Sequence, residues 1–338
     1  MGKPLKLLVV SDIHYAGPGE RERSGYEARS ATNVFQRELL RLYRGQIWLE
    51  DPLVHNHFLD WFMERAGEPD IVVANGDFSC DSAFTGHADD ASFESAQICL
   101  NRLRERFGKS LHTTIGDHEL GKKSLVGGLG GLRLKSFEIT RDELGVQPFW
   151  QFTRGNYVFM GVTSSLLALP VLLAEGLEEE FDAWRELRDQ HVAQIDAAFR
   201  DLKRGQRVIL FCHDPTALPY LAEIQSVRAQ YGRIEQTIVG HLHSEFVYKT
   251  SLVLSGLPTI SFAGVPIKRM SSALQRARKW EPFDVKLCPS LTGIQAREDG
   301  GFLTVELDPD DPKPLEWEFH HLPWDAPLPE GWTEYVPG

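Results

Sequence analysis

The stretch that decides the fold of this chain is Leu5-Lys6-Leu7-Leu8-Val9-Val10-Ser11-Asp12-Ile13-His14. Its apolar part is short and is bounded by Pro4 and by Gly17-Pro18-Gly19, which is typical of a buried strand rather than a helix. Asp12 and His14 follow where this strand leaves its sheet. Because residues two apart on an extended chain point to one side, both side chains can reach one metal ion. Taken alone, the stretch also fits a strand that ends in an ordinary polar turn.

Composition limits the classes of function. The 338 residues carry a formal net charge of −12, which argues against a general nucleic-acid-binding surface. Residues 1–20 lack the apolar core of a signal peptide, and no run approaches the ~18 apolar residues of a membrane span. The cysteines are far apart and form no CxxC pair, so we expect buried thiols and a cytoplasmic, reducing location. They are Cys80, Cys99, Cys212 and Cys288.

Apolar strands alternate with amphipathic helices along the chain. This alternation predicts an α/β core with a site at the carboxyl ends of its strands. Strands are predicted at 71–74, 110–115, 157–163, 207–212, 236–239, 258–264, 301–307 and 315–320, and helices at 51–65, 90–107 and 178–203.

One domain, 1–321, fits the pattern better than two. We expect insertions near 16–50 and 164–180, and a Pro/Trp-rich tail, 322–338, packed on the surface. The arginine-rich part of the first insertion, 20–44, is either a solvated flap, which we favour, or part of a cap over the site. The apolar run in the second insertion is either core or a cap for a lipid-bearing substrate.

Acids and imidazoles follow five of the predicted strands. A lone histidine beside a strand is usually packed and hydrogen bonded, but this many ligand types at successive strand exits favour a metal site. Carboxylate and imidazole ligands without thiolate suit Mn, Fe, Zn or Mg rather than a structural zinc site. The candidate residues are Asp12, His14, Asp77, Asp117, His118, His213, His241 and His243.

In order and spacing these blocks resemble the calcineurin-like metallophosphoesterase superfamily. The family pattern is D-x-H, then G-D, then G-N-H-[DE], then H, then G-H-x-H. The resemblance implies a four-layer αββα sandwich with two central mixed sheets and a metal site at the carboxyl ends of strands. It also implies two divalent metal ions; we expect manganese first, with iron, zinc or magnesium as alternatives. The matching residues are Asp12-Ile13-His14, Gly76-Asp77, Gly116-Asp117-His118-Glu119, His213 and Gly240-His241-Leu242-His243.

The resemblance also assigns roles to the candidate residues. One metal would be held by Asp12, His14 and His243, and the other by Asp117, His213 and His241. Asp77, and by extension Asp12, would bridge the two ions, between which a hydroxide attacks the phosphorus. His118 would donate a proton to the leaving oxygen, with orientation of its turn as the alternative role. Glu119 more plausibly orients its neighbours than reacts.

Position 117 departs from the family pattern, which has asparagine where this chain has aspartate. The extra negative charge predicts a site that binds its metals more tightly but attracts anionic phosphate less. Asp117→Asn should then change metal affinity and the pH–rate profile together. A slow or inactive site is the other interpretation. Nearby, Lys122 and Lys123 either contact substrate phosphate or, more commonly for lysines, are solvated.

We therefore predict a metal-dependent phosphoesterase acting on a phosphomonoester, phosphodiester or diphosphate. The expected substrate is a phosphorylated small molecule or lipid, with peripheral membrane contact in the second case. One alternative is a pyrophosphatase for a nucleotide-sugar or lipid-linked substrate, and another is a non-catalytic binding protein on the same scaffold. The lack of a basic, aromatic groove weighs against a nuclease. The basic cluster at 268–279 is either a solvated face or a wall for a second anionic group.

Overall fold

The computed structural model describes residues 4–124, 128–244, 249, 277–310 and 313–325. Its strands are β1 (Leu5–Val10), β2 (Ile71–Ala74), β3 (Leu111–Thr113), β4 (Phe149–Arg154), β5 (Tyr157–Val162), β6 (Arg207–Cys212), β7 (Ile234–Val239), β8 (Val285–Leu287), β9 (Gly301–Leu307) and β10 (Glu318–His321). Its helices are α1 (Pro18–Arg21), α2 (Tyr26–Ser30), α3 (Val34–Gln46), α4 (His57–Arg65), α5 (Asp90–Phe107), α6 (Leu134–Asp142), α7 (Ser164–Leu167), α8 (Leu169–Leu172), α9 (Phe181–Arg200), α10 (Leu218–Leu221) and α11 (Gln225–Ala229).

The strands form two five-stranded mixed sheets. The first has the order β10-β9-β1-β2-β3, and the second has the order β4-β5-β6-β7-β8. β1 lies at the centre of its sheet, parallel to β2 and antiparallel to β9, with Leu7 opposite both Ile71 and Val305. In the second sheet β5, β6, β7 and β8 run parallel. The carboxyl ends of the parallel strands therefore gather at one edge of each sheet.

Alternating side chains of β1 show how the layers are built. Leu7 and Val9 belong to the apolar cluster that joins the two sheets, whereas Leu8 and Val10 belong to the larger cluster that includes the helices. A strand that is apolar on both faces is expected where helices cover one face and a second sheet covers the other. The predicted four-layer αββα sandwich with two mixed sheets is thus confirmed.

Several element boundaries match the prediction because local signals set them. α5 begins after Asp89, whose side chain accepts a hydrogen bond from Ser92 N, and it ends at Gly108, which has a φ of 51°. The helix predicted at 51–65 is shorter. Asp51 instead caps a 3₁₀ turn over Pro52–Val54, and α4 starts only at His57.

Two strands were not predicted. β4 is an edge strand with half-exposed residues, so it lacks the apolar run that marked the others, and β8 has only three residues. The strand predicted at 258–264 and the basic cluster up to Arg276 lie outside the described residues. Most of the predicted tail does too, although Leu322 is buried and Trp324 donates to Thr292 O at 2.8 Å.

The apolar run of the second predicted insertion lies in the core. Leu166, Leu167, Leu169 and Leu172 in α7 and α8 are all buried within the cluster that backs the second sheet. This burial favours the core interpretation of the run over a cap for a lipid. All four cysteines are buried and unpaired, as expected. Among the described helices, none combines the length and the apolar character that crossing a bilayer requires.

Candidate metal centre

The loops that leave the strands are joined to one another by backbone hydrogen bonds at one edge. Asp12 N donates to Gly76 O at 3.1 Å, and His14 N donates to Asp77 O at 3.0 Å. In the second sheet, Gly240 N donates to His213 O at 2.9 Å. These bonds continue the strand pairing for a few residues beyond the sheets, and they set the spacing of the candidate side chains.

Five of the predicted metal ligands have left-handed backbone conformations. Their φ angles are 51° for Asp12, 49° for His14, 60° for Asp77, 59° for His241 and 58° for His243. Such angles are uncommon outside glycine, cost about 1–3 kcal/mol each and persist only where the surrounding structure holds them. Backbone strain of this kind clusters at functional sites, so it supports a functional site at this edge of the sheets.

Glycines allow the loops to approach one another closely. A Cβ at Gly116 would lie 2.2 Å from Asp77 Oδ1, and one at Gly240 would lie 2.0 Å from Ser11 Oγ. Gly76 has a φ of 87°, and a Cβ there would lie 2.7 Å from the backbone of Gly116. The glycines before Asp77, Asp117 and His241 are therefore required by close contact, and Gly76 also by its backbone conformation.

Two groups that together hold the seven predicted ligands meet at this edge, and among the described residues a third set, His14, Asp77 and His118, shares two of its members with them. Asp77, Asp117, His213 and His241 each offer an atom within 4.8 Å of the others, and Asp12, His14 and His243 do the same. In the first group, His213 Nε2 lies 3.2 Å from Asp77 Oδ2 and 3.4 Å from Asp117 Oδ1. In the second group, His243 Nε2 lies 3.3 Å from Asp12 Oδ1.

Two carboxylates lie between the groups. Asp12 Oδ1 is 3.3 Å from His243 Nε2 and 3.9 Å from His213 Nε2. Asp77 Oδ2 is 3.2 Å from His213 Nε2 and 3.9 Å from His14 Nε2. Each of these oxygens is within reach of imidazoles from both groups, which is the arrangement that a bridging ligand requires. The structure thus brings together all seven residues predicted as ligands.

Backbone carbonyls orient three of the imidazoles. His213 Nδ1 lies 2.5 Å from Asn75 O, His118 Nδ1 lies 2.9 Å from Cys80 O, and His14 Nδ1 lies 3.2 Å from Ser79 O. Each Nδ1–H can donate to its carbonyl, which leaves Nε2 with a lone pair directed at the centre. Fixing the second ring nitrogen in this way is how proteins set the tautomer and orientation of metal-binding histidines.

The residues present fit divalent cations. Asp77 Oδ2 and His213 Nε2 are fully buried, and within the described part of the chain neither completes a hydrogen bond. Burial disfavours the charged imidazole, yet the nearby Asp77 and Asp12 carboxylates raise the pKa of His213 well above its usual value. The carboxylates around His213 therefore stabilise positive charge at this point, and cations bound by oxygen and imidazole ligands would supply it.

His118 and Glu119 lie beside the ligands in different ways. His118 Nε2 is 3.8 Å from Asp77 Oδ2, and the exposed fraction of its side chain is 11%. Burial, and next the charge of Lys122, hold the pKa of His118 well below its usual value. Glu119 is completely buried and accepts from the backbone N–H groups of Asp77, Phe78 and Gly116 at 2.9, 2.8 and 2.6 Å. It therefore holds the loop that carries Asp77.

Three further side chains border the candidate ligands. The Trp48 ring packs against the His243 ring with centroids 4.8 Å apart, and Asp214 Oδ2 lies 3.8 Å from His241 Nε2. Lys122 Nζ lies 3.2 Å from Asp117 Oδ2. Asp214 gave a signal as an acid next to His213, and Lys122 as a lysine near the Asp117 motif, whereas no local pattern marked Trp48. The His55 ring packs against Trp324 and the His57 ring against Trp61, and neither residue belongs to a ligand group.

The chain was compared with known proteins. The sequence model of the family described as calcineurin-like phosphoesterase matches residues 5–245. This range is more than half of the chain and includes every candidate residue from Asp12 to His243. No curated protein matches the chain.

Solved structures with some likeness include two phosphatases and a phosphopantetheinyl hydrolase. A dimetal phosphatase from Danio rerio is 17% identical, with a TM-score of 0.43, and the match covers 90% of this chain and 93% of that one. A phosphopantetheinyl hydrolase from Mycobacterium tuberculosis is 16% identical, with a TM-score of 0.35 and coverages of 72% and 84%. A purple acid phosphatase from yellow lupin is 11% identical, with a TM-score of 0.37 and coverages of 94% and 53%.

Proposed function

The chain belongs to the calcineurin-like phosphoesterase family, and from this premise we propose that it hydrolyses a phosphomonoester, phosphodiester or diphosphate with two divalent cations. One cation would be held by Asp12, His14 and His243, and the other by Asp117, His213 and His241. Asp77, together with Asp12, would bridge them. Manganese is the first choice, with iron, zinc or magnesium as alternatives.

The observation that carries this proposal is the meeting of two ligand groups around shared carboxylates. Asp12 Oδ1 and Asp77 Oδ2 each lie within 4 Å of imidazole nitrogens from both groups. A purely structural cluster would pair these atoms by hydrogen bonds, whereas here Asp77 Oδ2 is buried without one among the described residues. Retention of the complete set also weighs against a non-catalytic scaffold.

His118 would donate a proton to the leaving group. When bound, the cations would supply Lewis-acid activation of water and neutralise charge on the phosphoryl oxygens. The Cys80 carbonyl holds Nδ1 of His118, so Nε2 is the atom that can carry a proton to the leaving oxygen. A phosphate that enters beside His118 adds negative charge, which raises the pKa of the imidazole and favours the protonated, donating form.

A phosphorylated small molecule is the substrate class that we propose. The burial of α7 and α8 in the core weighs against the lipid cap that the run at 164–180 could have formed. A nucleotide-sugar diphosphate remains an alternative within the same chemistry. We place the protein in the cytoplasm because its four free thiols suit a reducing compartment.

A metal-reconstitution assay tests the proposal. The full chain, treated with chelator and returned to manganese, should hydrolyse p-nitrophenyl phosphate, its phosphodiester analogue or a nucleoside diphosphate sugar, and chelator should abolish the activity. Asp77→Asn should lower kcat by about 100-fold or more, because it removes the charge that both ion sites share. His118→Asn should lower kcat while metal content is kept, by about 10²–10⁴-fold.

The matched control is Asp182→Asn, which changes the same kind of group on the exposed face of α9. Its activity should equal that of the unaltered protein. If the manganese-loaded protein hydrolyses none of these substrates, the enzymatic proposal is wrong and the non-catalytic scaffold takes its place. If Asp77→Asn keeps full activity, the assigned centre is wrong.

A further inference from the structure

The carboxylate at position 117 has a charged partner on the side away from the other ligands. Asp117 Oδ1 faces the centre, 2.9 Å from His241 Nδ1 and 3.4 Å from His213 Nε2. Its second oxygen, Oδ2, lies 3.2 Å from Nζ of Lys122. The two oxygens therefore have different surroundings: one meets the candidate ligands, and the other meets an ammonium group.

A tight chain reversal brings Lys122 to this position. Leu120 N donates to Asp117 O at 3.2 Å, which closes a turn directly after the carboxylate. Gly121 then has a φ of 89°, and a Cβ there would lie 2.5 Å from Gly131 O, so only glycine fits. The exposed fractions of the Lys122 and Asp117 side chains are 24% and 5%. At this burial the charge pair is only weakly screened by solvent.

The pair carries the same formal charge as the residue that it replaces in the family pattern. An asparagine offers one neutral carbonyl oxygen to the centre, and its amide nitrogen occupies the second position. Here Asp117 Oδ1 takes the place of that oxygen, and Oδ2 with the Lys122 ammonium takes the place of the amide. The carboxylate contributes one negative charge and the ammonium contributes one positive charge, so the sum is zero.

We propose that Lys122 is a positioning residue that neutralises Asp117, so that the two side chains together substitute for one asparagine at the metal centre. This inference rests on the proposed function only in requiring that the centre binds divalent cations. It replaces the expectation from sequence that aspartate at 117 leaves the site one charge more negative. It also gives Lys122 a role other than that of a solvated lysine.

A charge-balanced set of variants tests the pairing through metal binding, without reference to activity. Manganese affinity of the full chain is measured by calorimetry for Lys122→Met, Asp117→Asn and the double variant. Removing only the ammonium leaves an extra negative charge and should tighten manganese binding by about tenfold, and removing only the carboxylate should weaken it by about tenfold. The double variant restores the charge balance and should lie within about threefold of the unaltered protein.

Inorganic phosphate supplies a second readout with the opposite sign. For the manganese-loaded protein, Lys122→Met should weaken phosphate binding by about tenfold, because the site has lost one positive charge. Lys122→Arg keeps the charge and should restore both affinities to within about threefold. Lys122→Gln serves as a second neutral variant if Lys122→Met loses its circular dichroism spectrum.

Three results would overturn the inference. Lys122→Met or Lys122→Gln with unchanged or weakened manganese affinity would show that the ammonium does not balance the carboxylate. A double variant as weak as Asp117→Asn would show that the two residues are not coupled. An unaltered protein that binds no manganese at all would refute the proposed metal centre itself, which is a separate failure from loss of coupling, and the pairing would fall with it.

Discussion

The loops that carry the candidate ligands and helix α3 are linked through Trp48, which follows α3 and packs on His243, but they are built in opposite ways. In the loops, candidate ligands such as Asp12 and Asp77 are completely buried, and glycines separate backbones that nearly touch. In α3, Phe35, Leu39 and Leu42 are 78%, 55% and 64% exposed, although they are apolar. Within one chain, a polar cluster is largely buried while one apolar helix face is exposed.

The contrast arises because the segment with α1–α3 is held to the rest of the protein at few points. The segment that contains α1–α3 is anchored at its two ends. Near its start, the buried Glu20 carboxylate accepts from Cys80 N and Ser82 N, and near its end Trp48 O accepts from Gln295 N. Between these anchors α3 contributes little more than Leu40 to the core. Substitutions should therefore be costly in the loops and tolerated on the outer face of α3.

The largest effect should come from a methyl group added where the loops meet. Gly76→Ala forces a left-handed φ of 87° on alanine and places Cβ 2.7 Å from the backbone of Gly116. Strain of about 1–2 kcal/mol and overpacking of about 1–3 kcal/mol should together lower the free energy of unfolding by about 3 kcal/mol. Urea unfolding measures this change in the free energy of unfolding. Manganese binding should be lost as well.

The matched control for this change lies in the other region. Gly25 has a similar φ of 73°, but a Cβ there would meet nothing within 4 Å. Gly25→Ala should then cost only the conformational strain, about 1–2 kcal/mol, and should keep manganese binding. Equal losses for the two variants would contradict the view that close approach, rather than φ alone, makes the loops sensitive.

A smaller effect should appear on acidification, at the junction between the anchored segment and α4. Burial, and next the neighbouring His57, lower the pKa of His55 to about 4 from its usual value near 6.5. Because the unfolded chain binds this proton first, stability should fall as pH decreases from about 6.5 towards 4, by about 1–2 kcal/mol at pH 5. Urea unfolding at pH 7 and at pH 5 measures this loss of stability. In the His55→Asn variant the free energy of unfolding should fall by about 1–2 kcal/mol less between these two pH values. An unchanged pH dependence would show that folding does not lower the pKa of His55.

The smallest effect should come from the exposed face of α3. The triple variant Phe35→Ser, Leu39→Ser and Leu42→Ser should change the free energy of unfolding by less than about 1 kcal/mol and leave manganese affinity unchanged. Leu40, on the same helix, is 4% exposed, and Leu40→Ala should cost about 2–5 kcal/mol. If the triple variant is as unstable as Leu40→Ala, this face is covered in the native protein and the contrast between the regions fails.

The site was predictable because each ligand is part of a short local pattern. Asp12-x-His14 follows one buried strand, and Gly240-His241-x-His243 follows another. Each strand with its motif could therefore be identified without knowledge of the second pair. β4 was missed because an edge strand that is half exposed carries no such apolar signal. The start of α4 was misplaced because Asp51 caps a 3₁₀ turn as well as it would cap a helix.

The sequence by itself determined the sandwich, the strand exits and which acids and imidazoles follow them. Apolar periodicity and residue type are local properties, and they do not depend on how distant segments of the chain fold. Only the tertiary structure decided that Lys122 reaches Asp117, that Trp48 packs on His243 and that the run at 166–172 is core. These are contacts between separately placed segments, and their distances depend on how turns and layers bring those segments together.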